Sequence, residues 1–197
     1  DVAIRYTANG SNLRNDMMIH HTSFGMGSKL YFGDTTNMFG RVGMIVAIYL
    51  AKGQGELSLR TSDPRIQPYI NYNFFKETED LRRMRDAVRM CVEIGAGSSY
   101  KDLIDFRLAP SEEILNSDTQ LDIWIKENAR TSHHISGTCK MGQESDPTSV
   151  VDQYGNVHGT KNLKVADASI MPDCPRANTN VPTMMIGEKI SDFILNS

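Results

Sequence analysis

The stretch that most limits the fold is Val42-Gly43-Met44-Ile45-Val46-Ala47-Ile48-Tyr49-Leu50, a near-continuous apolar run. It is short of the ~18 residues that a membrane-spanning helix needs. Its pattern is that of a strand covered on both faces. Gly53-Gln54-Gly55 then supplies a turn, and Glu56-Leu57-Ser58-Leu59-Arg60 alternates strictly, as the hairpin partner of such a strand would. Ser62-Asp63-Pro64-Arg65 ends the second strand, because Pro64 has no amide donor and keeps Asp63 out of helical geometry. Tyr69-Ile70-Asn71-Tyr72 is a further short strand. Asp16 to Phe24 is a candidate strand with poor alternation, and Asn9-Gly10-Ser11 and Gly33-Asp34 are turn signals.

Helical signal follows. From Glu79 to Ile94 the residues Leu81, Met84, Val88, Cys91 and Val92 form one apolar stripe. Glu77, Glu79 and Asp80 suit its start, and Gly95 and Gly97 its end. The opposite face carries Arg82, Arg83, Arg85 and Arg89; with acids nearby, it reads as solvated rather than as an anion site. Ser117-Asp118-Thr119-Gln120 has capping-box form and opens a helix to about Asn128. A last helix is expected from near Thr183, with Pro182 in its first turn and Met184, Met185, Ile186, Ile190, Phe193 and Ile194 turned inward. Strands first and helices dispersed among them predict an α+β domain, an antiparallel sheet with helices packed against it. A net charge of −3 gives no general attraction to nucleic acid or anionic membrane. Cys91, Cys139 and Cys174 are odd in number and far apart, which argues for free thiols in a reducing, cytoplasmic setting.

Two later stretches carry chemistry. The first is Thr131-Ser132-His133-His134-Ile135-Ser136-Gly137-Thr138-Cys139-Lys140-Met141-Gly142. The second runs from Val165-Ala166-Asp167-Ala168-Ser169-Ile170-Met171-Pro172 to Asn178-Thr179-Asn180-Val181-Pro182-Thr183, and Val157 to Val165 joins them. Their order and spacing resemble the C-terminal signature of the glucose–methanol–choline (GMC) flavoprotein oxidoreductases. The Gly-x-Leu-x-Leu-x-Thr-Ser-Asp-Pro-Arg order from Gly55 onward is similar to that family's substrate-domain hairpin.

The resemblance implies FAD as cofactor and a small-molecule alcohol as substrate. It aligns His134 with the catalytic base, since counting back three from Gly137 reaches His134 and not His133. Imidazole suits that role because it exchanges a proton near neutrality. Ile135 stands where Pro is common in the family, which touches backbone stiffness rather than chemistry. Asn178 falls at the second catalytic position and would hold the substrate oxygen, with Asn180 as its rival. Residues matching Thr179, Asn180 and Val181 lie at the flavin's pyrimidine edge in the family, and those matching Asp167 and Ala168 near the ribityl chain and phosphates. A helix beginning beside them would place positive charge where a reduced flavin is negative.

The nucleotide-binding Gly-x-Gly-x-x-Gly turn of the family is expected elsewhere. Gly95-Ala96-Gly97-Ser98-Ser99-Tyr100 follows a helix and ends in Tyr, and Gly25-x-Gly27 fails likewise. The chain, which opens at Asp1 without Met, is therefore expected to be a fragment whose N-terminal FAD-binding domain is missing. Residues 1–146 would form the substrate-binding domain, and 147–197 the segment that packs back onto that FAD domain. Alone, the fragment should bind FAD weakly or not at all and turn nothing over. Two further readings stay open: a binding or assembly module that kept the fold, and a lyase of the same family acting on cyanohydrins. A metal site from His20, His21, His133, His134 and His158 is disfavoured, because neighbouring histidines on an extended chain face opposite ways.

Overall fold

The structure is a computed structural model that describes residues 2–22 and 42–196. The Gly25-x-Gly27 and Gly33-Asp34 signals, and Ser23-Phe24 of the first candidate strand, lie outside those residues. The chain divides into two compact units, residues 1–54 with 73–130 and residues 55–72 with 131–197. The fold is α+β, antiparallel sheets with helices packed against them, as the order of elements leads one to expect.

In the first unit, β1 (Ala3–Tyr6), β2 (Met17–Thr22) and β3 (Gly43–Ile48) form an antiparallel sheet with β2 in the middle. The register sets Ile4 against Ile19 and Ile19 against Val46. Helix α1 (Thr78–Gly95) covers the face on which Met17 and Ile19 are buried, through Ala87 and Met84 against Ala8, Tyr6, Val46 and Ile48. Its other apolar flank, Leu81 and Val88, packs on Leu115 of α2 (Glu112–Leu115) and on Leu121 and Ile125 of α3 (Asp118–Asn128). Ser117 caps α3 by accepting the Gln120 amide at 3.3 Å, as the capping-box spacing predicts.

Three expectations for this unit are corrected. The apolar run makes strand β3, but the strand is half-buried along its whole length rather than covered on both faces. Its hairpin partner is β2, not residues 56–60. The cause lies at the end of β3. Leu50 turns left-handed at φ 55, and the amides of Lys52 and Gly53 bond to the Asp80 carboxylate at 3.0 and 2.9 Å. Those donors are thus withdrawn from any ladder with the following strand. Finally, the arginine face of α1 is not a solvated one. Arg83 is buried between Asp16 and Asp80, Arg85 pairs with Asp122 at 2.8 Å, and Arg89 bonds Leu115 O at 3.0 Å and Asp118 at 2.6 Å. Arg82 spans Glu79, Asp86 and Asn9 O.

In the second unit, β4 (Glu56–Ser58) pairs instead with β5 (Tyr69–Asn71). Residues 131–196 build a core of Val151, Ile170, Met171, Ile186 and Ile190 beneath helix α4 (Asn180–Leu195). Helix α4 starts three residues earlier than Thr183 and does carry Pro182 in its first turn. Of its expected inward residues, Ile186 and Ile190 are buried and Phe193 packs against the core. Met184 and Met185 are exposed, because their positions fall on the flank away from Ile186 and Ile190, and Ile194 is exposed in the helix's last turn, beyond the core. Residues 131–146 and 147–196 share this core, with Met141 packed against it. Among the described residues no helix is long and apolar enough to cross a membrane.

Candidate active site

A short ladder joins the two motif stretches. The amides of Gly137, Cys139 and Met141 donate in turn to the carbonyls of Ala168, Ser169 and Ile170, at 3.3, 2.9 and 2.9 Å. Met141 also bridges to Val151, and Val151 to Val157, so the segment between the motifs is tied in as well. Gly155 closes this weave. At φ +74 it adopts a backbone that side chains resist, and a Cβ there would lie 2.7 Å from Val165 O and 3.0 Å from Ile190 Cδ1. His158 Nε2 sits 3.2 Å from Gly142 O, which gives that histidine a structural place in the weave.

Pairing at Gly137 fixes where the chain just before it can go. His134 is half-buried, and its Nδ1 lies 3.2 Å from Thr179 Oγ1, with the Thr179 amide donating to the same nitrogen at 3.5 Å. The two motifs thus meet through a side chain as well as through the backbone. Nε2 of His134 makes no hydrogen bond among the described residues, so it is the ring atom left for a ligand. His133, by contrast, is exposed and left-handed at φ 64, with its amide bonded to Thr131 Oγ1.

Asn178 directly precedes Thr179, about 3.8 Å away along the backbone, and its side chain is exposed. Thr179 is buried and forms the N-cap of α4, where the Thr183 amide and hydroxyl both bond to its carbonyl, at 2.9 and 2.6 Å. Asn180 and Val181 are exposed at the first positions of that helix. Asp167 accepts the Ser169 amide at 2.8 Å through Oδ1 and so caps the one-turn helix Ala168–Ile170. The structure therefore brings His134, Thr179 and the Asp167–Ala168 turn into one weave, with Asn178, Asn180 and Val181 exposed beside Thr179. The contact between Thr179 and His134 has no signature in the sequence, since 45 residues separate the two.

Asn180 and Val181 bear directly on whether a flavin fits. Amides in a helix's first turn have no intrahelical acceptor, and they stand at its positive end. Two exposed amides there suit an electron-rich ring edge. Oδ2 of Asp167 takes no part in the turn and suits a hydroxyl of the ribityl chain better than a phosphate, which its charge would repel. The residues present thus fit the group. Among the described residues no cluster of His, Cys, Asp or Glu is arranged to hold a metal ion.

The C-terminal family model of the GMC oxidoreductases matches residues 51–187. The oxygen-dependent choline dehydrogenase of Rhizobium rhizogenes is 37% identical over 150 residues, which is 76% of this chain and 27% of that protein. That of Stenotrophomonas maltophilia strain R551-3 is 38% identical over 151 residues, again 27% of its length. The chain thus spans about a quarter of these curated relatives. A solved Aspergillus oryzae formate oxidase (R554K), studied for its FAD modification, superposes with a TM-score of 0.81 at 29% identity, over 92% of this chain and 31% of that one. Pyridoxine 4-oxidase from Mesorbium loti reaches 0.82 at 20% identity over 99% of this chain and 38% of its own, a likeness of fold. With the family model across most of its length and both motif halves meeting at His134, this chain belongs to the GMC oxidoreductase family.

Proposed function

We propose that this chain is the substrate-binding and proton-handling part of an FAD-dependent oxidoreductase acting on a CH–OH group, completed by an N-terminal FAD-binding domain. The observation that carries the reading is the contact of His134 Nδ1 with Thr179, which leaves Nε2 for a substrate at the start of α4. When bound, FAD supplies the hydride acceptor, N5 of its isoalloxazine. His134 takes the hydroxyl proton at Nε2 as general base. Asn178 donates its amide to the same oxygen and holds the carbon in place. Asn180 and Val181 would offer the flavin edge their amides, and Asp167 and Ala168 would hold its ribityl side. Residues 1–146 act as the substrate domain, and 147–197 as the segment that returns to the FAD domain. The setting is a reducing, cytoplasmic one.

Choline is the first alcohol to try, because the relatives at 37% identity carry that name. Anaerobic mixing of the full-length protein with choline and other small alcohols should bleach the oxidised flavin. His134→Gln should slow the bleaching by roughly 10²- to 10⁴-fold, the usual worth of a positioned base. An H134Q protein that bleaches at the wild-type rate would refute the assignment.

A further inference from the structure

The hydroxyl of Thr179 is the feature of this site that its family likeness leaves unexplained. A base at Nε2 must begin with that nitrogen bare, so the neutral ring has to carry its proton on Nδ1. Nδ1 faces two groups, both from residue 179: the hydroxyl at 3.2 Å and the amide N–H at 3.5 Å. An amide nitrogen can only donate, and it opposes a proton on Nδ1. A hydroxyl donates or accepts as required. Thr179 Oγ1 makes no other hydrogen bond among the described residues, so it is free to turn. The residue itself is held still, being buried and clamped through its carbonyl by Thr183.

We propose that Thr179 is the positioning residue for His134, its hydroxyl at 3.2 Å accepting from Nδ1–H, in place of the longer amide contact at 3.5 Å, and so admitting the ring form in which Nε2 can take a proton. When the substrate proton arrives on Nε2, the ring becomes an imidazolium and the Nδ1–H bond to Oγ1 persists. Without the hydroxyl, the amide would be the sole partner of Nδ1 and would hold the ring proton on Nε2, where the base is disabled.

The inference rests on His134 acting as the base, and the test separates the two. Full-length protein labelled with ¹⁵N-histidine, as wild type, Thr179→Val, Thr179→Ser and His134→Gln, is examined by solid-state NMR for the form of the residue-134 imidazole. The same proteins are followed by stopped flow for flavin reduction by a saturating alcohol. Wild type and T179S should show the Nδ1–H form, and T179V should lose it. Flavin reduction in T179V should fall between about 10- and 100-fold, as for a reacting group slightly misplaced, with the half-saturating alcohol concentration little changed. An unchanged imidazole signal in T179V overturns the proposal. So does a T179S protein as slow as T179V, or a T179V protein as fast as wild type while H134Q is dead. Wild-type speed in H134Q instead removes the functional reading on which it stands.

Discussion

The Arg83 guanidinium is almost wholly withdrawn from water, held by Asp16 at 2.9 Å, by Asp80, and by the carbonyls of Tyr49 and Leu50. Removing one partner of such a group strands a buried charge, so Arg83→Leu should cost about 3–5 kcal/mol in chemical unfolding. Burial alone would push the Asp16 carboxyl up. Hydrogen bonds from Ser11, the Ala8 amide and Arg83, together with the Arg83 charge, outweigh it and hold the group below its usual 3.8. A depressed folded value stabilises the fold above the unfolded one and loses that contribution as pH falls. Acid titration should therefore show a stability loss that starts near pH 4 and continues below it, and Asp16→Asn should flatten that limb while lowering stability at pH 7. Burial pushes the Cys91 thiol up to about 11. Its alkylation in the native protein at pH 8, followed by mass spectrometry, should be about 100-fold slower than after unfolding, in line with a thiolate population reduced by two pH units. The sequence placed four arginines on one helix face but could not show what they bind. Asp16 lies 67 residues from Arg83, and no local pattern announces such a pair.

Elements with a local cause are legible in the sequence alone. Helix α1 follows its apolar stripe, α3 starts where Ser117 can cap it, and β4 and β5 follow alternation and a proline stop. Pairing between strands is not, because it depends on where amides go. The Asp80 carboxylate, after β3, takes the two donors that would have continued a ladder, so the nearest strand in sequence is not the partner in space. Within α4 the buried stripe is narrower than the apolar pattern of the sequence. Met184 and Met185 are more than half exposed, at 56% and 62%, beside a fully buried Ile190. Two substitutions test these local causes by shifts of the unfolding midpoint. Ser117→Ala should cost about 1 kcal/mol through the lost cap. Gly155→Ala should cost about 1–3 kcal/mol from its left-handed backbone, and more from the clash with Val165 O.

On the scale of the whole molecule, the motif spacing led to His134, and the fold places Asn178 one residue from its partner Thr179. What spacing left out is which neighbour holds the ring, since this depends on the path of α4's first turn. Helix α4 also leaves apolar surface uncovered, with Val181 68%, Met185 62% and Leu195 79% exposed. Scattered apolar exposure is ordinary, but several large residues on one helix are a surface that ordinarily has a neighbour. If an FAD-binding domain completes the chain as proposed, the chain expressed alone should brighten a hydrophobic dye more strongly per mole than the completed protein does, and it should lose FAD on dialysis. Equal dye response in both would mean that the proposed FAD-binding domain does not cover these side chains.

The three-rung backbone ladder that stitches residues 137–141 to 168–170 also bears on how lineages can vary this protein's length. The segment between those rungs is anchored in the core by Val151, but its tip at Lys161-Asn162-Leu163 is exposed. Residues inserted there should lengthen a loop and leave the imidazole where it is. One residue inserted between Ser136 and Gly137 would instead shift the histidine relative to the first rung and carry it off its threonine. Evolution is free to embroider the margin of this weave, while its seam tolerates no dropped stitch.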